Sequence, residues 1–336
     1  MRANEPITNK ECSSAVFLLY CSIALLLYCS SLPASAAATD RACIIITGLG
    51  GMPEYEENFL RWGSEMETVF RNELNSAVYN LDGREQKKPD ILQVFDQVSL
   101  SLPLDELWLF LIGHANHDGR HYKFNVAGPD LTDEEIKTFL EALGGTRTYI
   151  IAATSASGIL ASHLGHKNRV VVTATRNQFE RQPPLFMSFF VEAVTSAEAD
   201  TDKNGKISLL EAFLFSNQKV DTWFKDRGRI QTEHSLLDDN GQARLGKSQG
   251  TLGSDPSAHG TFLASRAFLS APPEQAYRSF EAKQLASERV EIERKIEDLK
   301  FRKTQIPEDK YYRTLEELLV KLAQINEKIQ QLEAGR

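Results

Sequence analysis

Two residues that could take part in acyl-transfer chemistry, His114 and Ser155, each follow a short apolar segment of the sequence. Residues 107–112 read Leu-Trp-Leu-Phe-Leu-Ile before a Gly-His pair, and residues 149–153 read Tyr-Ile-Ile-Ala-Ala before Thr-Ser. Such runs are typical of buried parallel strands, whose carboxyl ends meet at the sheet edge where α/β proteins bind ligands. A serine hydroxyl beside an imidazole base is a pair used for nucleophilic attack. We therefore expect His114 and Ser155 to share one rim of a sheet.

The intervening sequence predicts the elements that position these two residues. Residues 131–143 carry apolar side chains at every third or fourth position, and Thr132 and Glu135 have the spacing of a capping box. The order is therefore strand, loop, helix, strand. Apolar segments at residues 42–47 and 169–175 predict two further strands. The sequence indicates an α/β fold with a mostly parallel sheet.

A second set of polar residues has the spacing of a calcium-binding loop. Residues 200–211 read Asp-Thr-Asp-Lys-Asn-Gly-Lys-Ile-Ser-Leu-Leu-Glu. In a helix-loop-helix site of this length, glycine permits the sharp turn and the last glutamate binds with both oxygens. Amphipathic segments at 185–194 and 209–223 predict the flanking helices. The predicted calcium ligands are Asp200, Asp202, Asn204, Lys206 through its backbone carbonyl, Ser208 and Glu211.

Only one such loop is present in the sequence, without a partner hand, which favours a structural calcium over a sensor. Extracellular sites of this kind bind calcium with a Kd on the order of 0.1 to 1 mM.

In its strand-end motifs the chain resembles the legumain-type cysteine peptidases and, more distantly, the caspases. The family places a catalytic histidine in a Gly-His pair and its thiol in a Glu-Ala-Cys-Glu-Ser-Gly motif. Alignment on Ser157-Gly158 puts Ser155 at the nucleophile position, and Gly50 stands where the family's functional asparagine lies. The resemblance covers residues 40–235. It implies a caspase-like three-layer sandwich, with His114 as the catalytic histidine.

The missing cysteine decides how much of the peptidase function is expected. A thiol has a pKa of about 8.5 and is partly ionised near neutrality, whereas a serine hydroxyl needs a coupled base, an acid and oxyanion donors. Asp118 is close to His114 in sequence, but no motif identifies it as the acid. The leading hypothesis is a legumain-like protein that has lost its nucleophile and binds a protein or peptide near His114 and Ser155.

Two alternatives stay open. One is an active hydrolase with Ser155 as nucleophile, His114 as base and a backbone amide near Gly113 or Ala115 as oxyanion donor. The other is a structural envelope protein that associates through its C-terminal helices.

The N-terminus predicts an exported protein. A basic start, an apolar core and the small residues Ala34-Ser35-Ala36 indicate a signal peptide over residues 1–38. An uncleaved membrane anchor at residues 15–32 is the competing interpretation. Cleavage would leave Cys43 as the one cysteine, which we interpret as a buried structural thiol.

Composition divides the rest of the chain. The caspase- and legumain-like domain is predicted over residues 39–237, a Gly-, Ser- and Pro-rich linker or long ordered loop over 238–273, and a helical hairpin or coiled coil over 274–336. The last segment holds thirteen acidic and thirteen basic residues, so the formal charge of -8 belongs to the preceding part. An acidic body argues against nucleic-acid binding. Leucine and isoleucine at alternating spacings of three and four predict packing of the hairpin on itself or self-association.

A zinc site is not predicted from the histidines. The segment that contains His114, His117 and His121 lacks the fixed geometry expected of zinc ligands, and His163 and His166 are predicted to be solvated.

Overall fold

The computed structural model describes residues 41–74, 76–101, 103–239, 241, 263–269, 279–301 and 306–334. The predicted signal peptide, or anchor, lies outside these residues. Within the described ranges, every helix is too short or too polar to span a lipid bilayer.

The described strands and helices follow in chain order. The strands are β1 (Arg41–Thr47), β2 (Ala77–Asp82), β3 (Glu106–Gly113), β4 (Ala115–His117), β5 (Tyr122–Phe124), β6 (Leu131–Thr132), β7 (Arg147–Thr154), β8 (Arg169–Thr173) and β9 (Leu236–Asp239). The helices are α1 (Pro53–Thr68, continued by a π turn at Val69–Glu73), α2 (Lys88–Leu100), α3 (Asp133–Ala142), α4 (Ile159–Leu164), α5 (Phe186–Thr195), α6 (Leu209–Asp226), α7 (Phe280–Phe301) and α8 (Glu308–Ala334), with a 3-10 turn at Ala264–Arg266.

Six strands form the central sheet in the order β2-β1-β3-β7-β8-β9. The first five are parallel, and β9 runs antiparallel to β8. The short strands β4, β5 and β6 form a separate antiparallel sheet. Because β3 and β7 are neighbours in register, with Gly113 opposite Thr154, the residues that follow them emerge at the same rim.

Helices cover both faces of the central sheet. Alternate residues of β1 face opposite sides, so Cys43 and Ile45 join the core beneath α1, α5 and α6, while Ile44 and Ile46 join the core beneath α2, α3 and α4. All four side chains are fully buried. The predicted three-layer α/β sandwich with a mostly parallel sheet is therefore confirmed.

Local signals set several element boundaries. The Thr132 to Glu135 capping box is formed in both directions at the start of α3. A second capping box, Ser208 to Glu211, starts α6 at the end of the predicted calcium loop.

The segment after residue 237, predicted as a linker or long ordered loop, packs in part against the main domain. Strand β9 continues to Asp239 and completes the sheet beside β8, and residues 263–269 pack into the main core through Ala264, Ala267 and Leu269. Parts of the predicted linker therefore belong to the domain, because their apolar side chains are buried there.

Beyond this domain, α7 and α8 pack against each other. Their shared core contains Ile292 and Ile296 from α7 and Ile325 and Ile329 from α8, and Lys321 pairs with Glu288 at 2.9 Å.

Candidate functional site

The rim at the carboxyl ends of β1, β3 and β7 brings the sequence-predicted residues into one region. His114 directly follows β3, Ser155 directly follows β7, and Gly50 lies in the turn after β1. The turn is held to the neighbouring strand by a hydrogen bond from the Gly48 N–H to the Ile112 carbonyl, at 2.8 Å. Parallel pairing of the three strands is what places these residues side by side.

The His114 ring is fixed by a carbonyl and two aromatic side chains. Its Nε2 lies 3.0 Å from the Gly50 carbonyl oxygen. A carbonyl can only accept, so Nε2 carries the proton and Nδ1 holds the lone pair. The ring meets Tyr55 and Phe59 edge-on, with centroid distances of 5.0 and 5.2 Å. Burial lowers the pKa of His114, so the neutral imidazole predominates at neutral pH.

The Ser155 hydroxyl is committed to the backbone of Ala115. The residue is 3% exposed, its Oγ donates to the Ala115 carbonyl at 2.7 Å, and it accepts the Ala115 N–H at 3.3 Å. A hydroxyl has one proton, and a carbonyl oxygen cannot donate one. The proton that a nucleophilic serine passes to a base is therefore engaged elsewhere, and the amide considered as an oxyanion donor already has an acceptor.

Asp118 has a local structural role. Its carboxylate accepts the N–H groups of Arg120 and His121, both at 2.9 Å, and pairs with Lys123 Nζ at 2.7 Å. The hydrogen bond from the His121 N–H and the Lys123 ammonium hold the pKa of Asp118 far below its ordinary value. These contacts stabilise the turn between β4 and β5. They engage the Asp118 carboxylate without involving an imidazole ring.

The sequence did not indicate the role of Glu180, which holds the turn after Ser155. Ala156 has a φ of 55°, a left-handed conformation unusual for a residue with a Cβ, and its N–H donates to the Glu180 carbonyl at 2.8 Å. The Glu180 carboxylate in turn contacts Arg176 Nε at 3.2 Å and His234 Nδ1 at 2.7 Å. Gly158 closes the turn, since a Cβ there would lie 2.1 Å from the Arg176 carbonyl carbon.

No sequence signal links Glu180 to His234, which lie 54 positions apart. The residue before His234, Glu233, accepts the Leu185 N–H with both oxygens, at 2.9 and 2.8 Å, where α5 begins. The rim loops, which we define as residues 174–185 and 229–235, are therefore joined to α5 and to the end of α6.

The predicted calcium loop brings three carboxylates together. Asp200, Asp202 and Glu211 each present an oxygen within 4.8 Å of the others. Gly205 has a φ of 78° and Lys203 a φ of 59°, which give the sharp turn that the glycine predicts. Burial and the neighbouring carboxylates Glu211 and Asp200 raise the pKa of Asp202, although the Asn204 N–H opposes them. A divalent cation would offset this repulsion, so the donor set fits calcium.

The other predicted ligands lie within the same turn. The Asn204 N–H reaches Asp200 Oδ1 and Asp202 Oδ1, both at 3.0 Å, and Asn204 Oδ1 accepts the Lys206 N–H at 2.8 Å. Ser208 donates through its N–H and its hydroxyl to Glu211 Oε2, at 2.9 and 2.7 Å. Glu211 is 6% exposed and thus fixed at the loop's closing position.

A short segment of the same chain, residues 263–269, pairs with this loop through one β-bridge. Ser208 bridges antiparallel to Phe268, with hydrogen bonds from the Leu209 N–H to the Ala267 carbonyl at 2.7 Å and from the Leu269 N–H to the Ile207 carbonyl at 2.8 Å. The Lys206 ammonium lies 5.0 Å from the centre of the Phe268 ring. The single loop therefore has a pairing partner within the chain, which the sequence did not predict.

Comparisons with known proteins were made for both sequence and structure. No protein-family profile matches the sequence, and no curated protein matches it. Among solved structures, the chain is similar to caspase-1 from Spodoptera frugiperda, with 12% sequence identity and a TM-score of 0.41. That match covers 60% of this chain and 86% of the caspase.

Proposed function

We propose that this protein is an exported, calcium-stabilised binding protein on a legumain-like scaffold, and that it does not hydrolyse peptides. The observation that carries the proposal is the commitment of the Ser155 hydroxyl to the Ala115 backbone. The proposed ligand is a protein or peptide bound at the rim near His114 and Ser155.

Hydrolysis would require at least two changes in this arrangement. The Ser155 proton would have to leave the Ala115 carbonyl for the lone pair of an imidazole, and the Ala115 N–H would have to turn from Oγ to a developing oxyanion. An imidazole base also gains from an acid partner. His114 Nε2 instead faces the Gly50 carbonyl, so that nitrogen holds a proton in a fixed direction. The contacts of Ser155 and His114 are better suited to orienting the loop backbone than to transferring the Ser155 proton.

The rim loops give the rim an exposed surface on which a ligand could bind. Phe179 is 72% exposed beside Glu180, whose carbonyl holds the Ala156 turn. Arg176 is 56% exposed in its side chain while it pairs with Glu180. An exposed aromatic ring and a guanidinium are side chains that frequently anchor polypeptide ligands. Export places the protein in a compartment where millimolar calcium could occupy a weak loop.

Labelling with a fluorophosphonate probe tests the absence of hydrolysis. Folded protein with and without calcium should give no adduct, and the Ser155→Ala variant should give the same background. A known serine hydrolase in the same experiment checks the probe. A covalent adduct on the native protein that disappears in Ser155→Ala would establish the active-hydrolase alternative.

Isothermal titration with calcium tests the second half of the proposal. We expect one site with a Kd on the order of 0.1 to 1 mM. Glu211→Gln should abolish measurable binding, because it removes one anionic, potentially bidentate ligand. Glu198→Gln is the matched control, since Glu198 lies just before the loop with a side chain that is 79% exposed. Equal binding by both variants would contradict the assignment of the loop.

A further inference from the structure

A cleft lies between α1, with its π turn, and α5, two of the helices that cover one face of the sheet. Its volume is about 560 Å³, which is within the range of roughly 300 to 1,000 Å³ typical of small-molecule sites. Four of its lining side chains belong to the main core: Trp62, Met66, Val69 and Val194. Val191 is partly buried and packs against that core. The base of the cleft is therefore apolar.

The hydroxyl groups of the lining residues already donate their protons. Each donates to a backbone carbonyl three or four positions earlier in the chain: Thr68 at 2.9 Å, Ser188 at 2.6 Å and Thr195 at 3.3 Å. A hydroxyl has one proton and two lone pairs. Towards a bound molecule these three groups therefore act as acceptors. The Trp62 indole N–H is the one uncharged side-chain donor among the described residues that line the cleft.

Two carboxylates add to these acceptors. Glu65 of α1 and Glu192 of α5 are exposed lining residues. Lys219 of α6 contacts Glu192 Oε1 at 3.0 Å, so part of that charge is neutralised within the chain. Arg61 is the one cation among the lining residues that the structure describes, and it donates to Asn58 Oδ1 at 2.7 Å. The cleft therefore favours a ligand that carries hydrogen-bond donors and a positive charge.

We propose that this cleft binds a small organic ammonium ion, a primary amine carried on an aromatic or branched aliphatic body. The apolar body covers the base of the cleft and is thereby removed from water. The ammonium group has three donors and no acceptor, so it matches the hydroxyl lone pairs and the Glu65 carboxylate. An anionic ligand is disfavoured, because the same oxygens repel it and Arg61 alone can pair with it.

The cleft lies further along α1 than the part of that helix that contacts the rim. Tyr55 and Phe59 meet the His114 ring, whereas Trp62 and Met66 line the cleft. The rings of Phe59 and Trp62 are 5.9 Å apart, so the two sites are neighbours. They share none of the lining residues that the structure describes. Binding of an amine is therefore independent of the polypeptide proposed for the rim, and the two proposals can fail separately.

Nuclear magnetic resonance of the folded, calcium-loaded chain with ¹⁵N-labelled tryptophan tests the cleft, with naphthylethylammonium as the probe. The chain has three tryptophans, Trp62, Trp108 and Trp223, and Trp62→Phe assigns the signal of the first. We expect a saturable shift of the Trp62 indole signal, with a Kd on the order of 1 mM for a fragment of this size. The other two tryptophans do not line the cleft, so their signals are internal controls.

Changes of charge on either side test the basis of recognition. Glu65→Gln should weaken binding of the amine by about threefold, because it removes one exposed anion. Glu57→Gln is the matched control, since Glu57 is exposed on the same helix outside the cleft. Neutral naphthylethanol should bind the native chain about threefold more weakly than the amine, and anionic naphthylpropanoate more weakly still.

Two results would overturn the proposal. One is the absence of a saturable change at Trp62 when the amine is well above the expected Kd. The other is binding of naphthylpropanoate as tight as that of the amine. Because the three probes have similar apolar bodies and differ in charge, their comparison on the native chain stays decisive even if Glu65→Gln does not fold.

Discussion

At the scale of single residues, the surroundings of Ser155 use its side chain as a structural hydroxyl. Its Oγ satisfies both the N–H and the carbonyl of Ala115, across a sequence separation of 40 residues. The same two contacts that oppose hydrolysis therefore join the end of β7 to the start of β4.

This role predicts a stability cost that is separate from any effect on activity. Ser155→Ala leaves two buried backbone groups without partners, and each unsatisfied group costs about 1 to 3 kcal/mol. We expect the free energy of unfolding to fall by about 2 kcal/mol, measured by urea denaturation at fixed calcium.

Ser162→Ala provides the control for this measurement. The Ser162 hydroxyl donates to the Ile159 carbonyl within helix α4 and is only partly buried. Its removal should change the free energy of unfolding by less than about 0.5 kcal/mol. Equal effects from the two variants would argue against a structural role specific to Ser155.

At the scale of elements, the most consequential pairing joins the proposed calcium loop, residues 200–211, to residues 263–269. Two backbone hydrogen bonds flank the bridge between Ser208 and Phe268, three residues before Glu211 at the end of the loop. The Asp239 carboxylate accepts the Ala264 N–H at 2.9 Å, which anchors the other end of this segment. These contacts hold the end of the loop against residues 263–269.

A proline substitution isolates the contribution of this pairing to calcium affinity. Leu269→Pro removes the N–H that donates to Ile207, whereas Leu269→Ala keeps that N–H and removes only the buried side chain. A lost hydrogen bond of about 1.4 kcal/mol corresponds to a tenfold weaker affinity if the loop must be reordered on binding. We expect calcium titration to give about a tenfold higher Kd for Leu269→Pro.

Leu269→Ala should lower the melting temperature and change the calcium Kd by less than about threefold, because its backbone pairing is retained. If the proline variant binds calcium as the native chain does, the loop does not depend on residues 263–269.

The sequence predicted elements whose signals are local. The four apolar strands, the capping box at Thr132 and the helices beside the calcium loop appear close to their predicted positions. Strands β2 and β9 were not predicted, because Asn80 interrupts the apolar run of one and Asp238 and Asp239 end the other. The contacts of Glu180 with His234, and of Asp133 with His163, depend on packing between distant elements, so no spacing in the sequence could indicate them.

At the scale of the whole molecule, the C-terminal helices bury one face and leave another uncovered. Ile325 and Ile329 of α8 lie in the core shared with α7, while Tyr312, Leu319 and Val320 are about half exposed. The inner face of α8 is already covered by α7. Large apolar side chains exposed on its other face favour association with a second protein surface.

Truncation before residue 274 tests this association. The native chain should sediment as an oligomer at micromolar concentration, and the truncated chain as a monomer that retains its calcium affinity. The double variant Leu319→Glu, Val320→Lys is a milder test of the same face. It changes the exposed side chains and preserves the core that α7 and α8 share. Identical sedimentation of all three proteins would show that this face is not used for self-association.

The domain core also contains two carboxyl groups whose titration should affect global stability. Burial raises the pKa of Glu233 to about 7, against the opposing hydrogen bonds from Leu185 and Phe186, with Glu180 adding to the increase. Burial likewise raises the pKa of Asp239 to about 7, with Asp238 nearby. Both folded-state pKa values lie above those of the unfolded chain, so the folded state binds more protons between about pH 4 and pH 7.

The free energy of unfolding should therefore increase as the pH is lowered from 8 to 6, by about 1 kcal/mol for each of the two carboxyls. Urea denaturation at both pH values, with calcium saturating throughout, measures the change. Glu233→Gln should remove about half of it, because the amide does not titrate, whereas Glu192→Gln on the exposed side of α5 should leave it intact. A profile that is flat between pH 8 and 6 in the native protein would mean that these carboxyls are charged in the folded state at neutral pH. The cores around α5 and β9 would then have to admit water that the packing described above excludes.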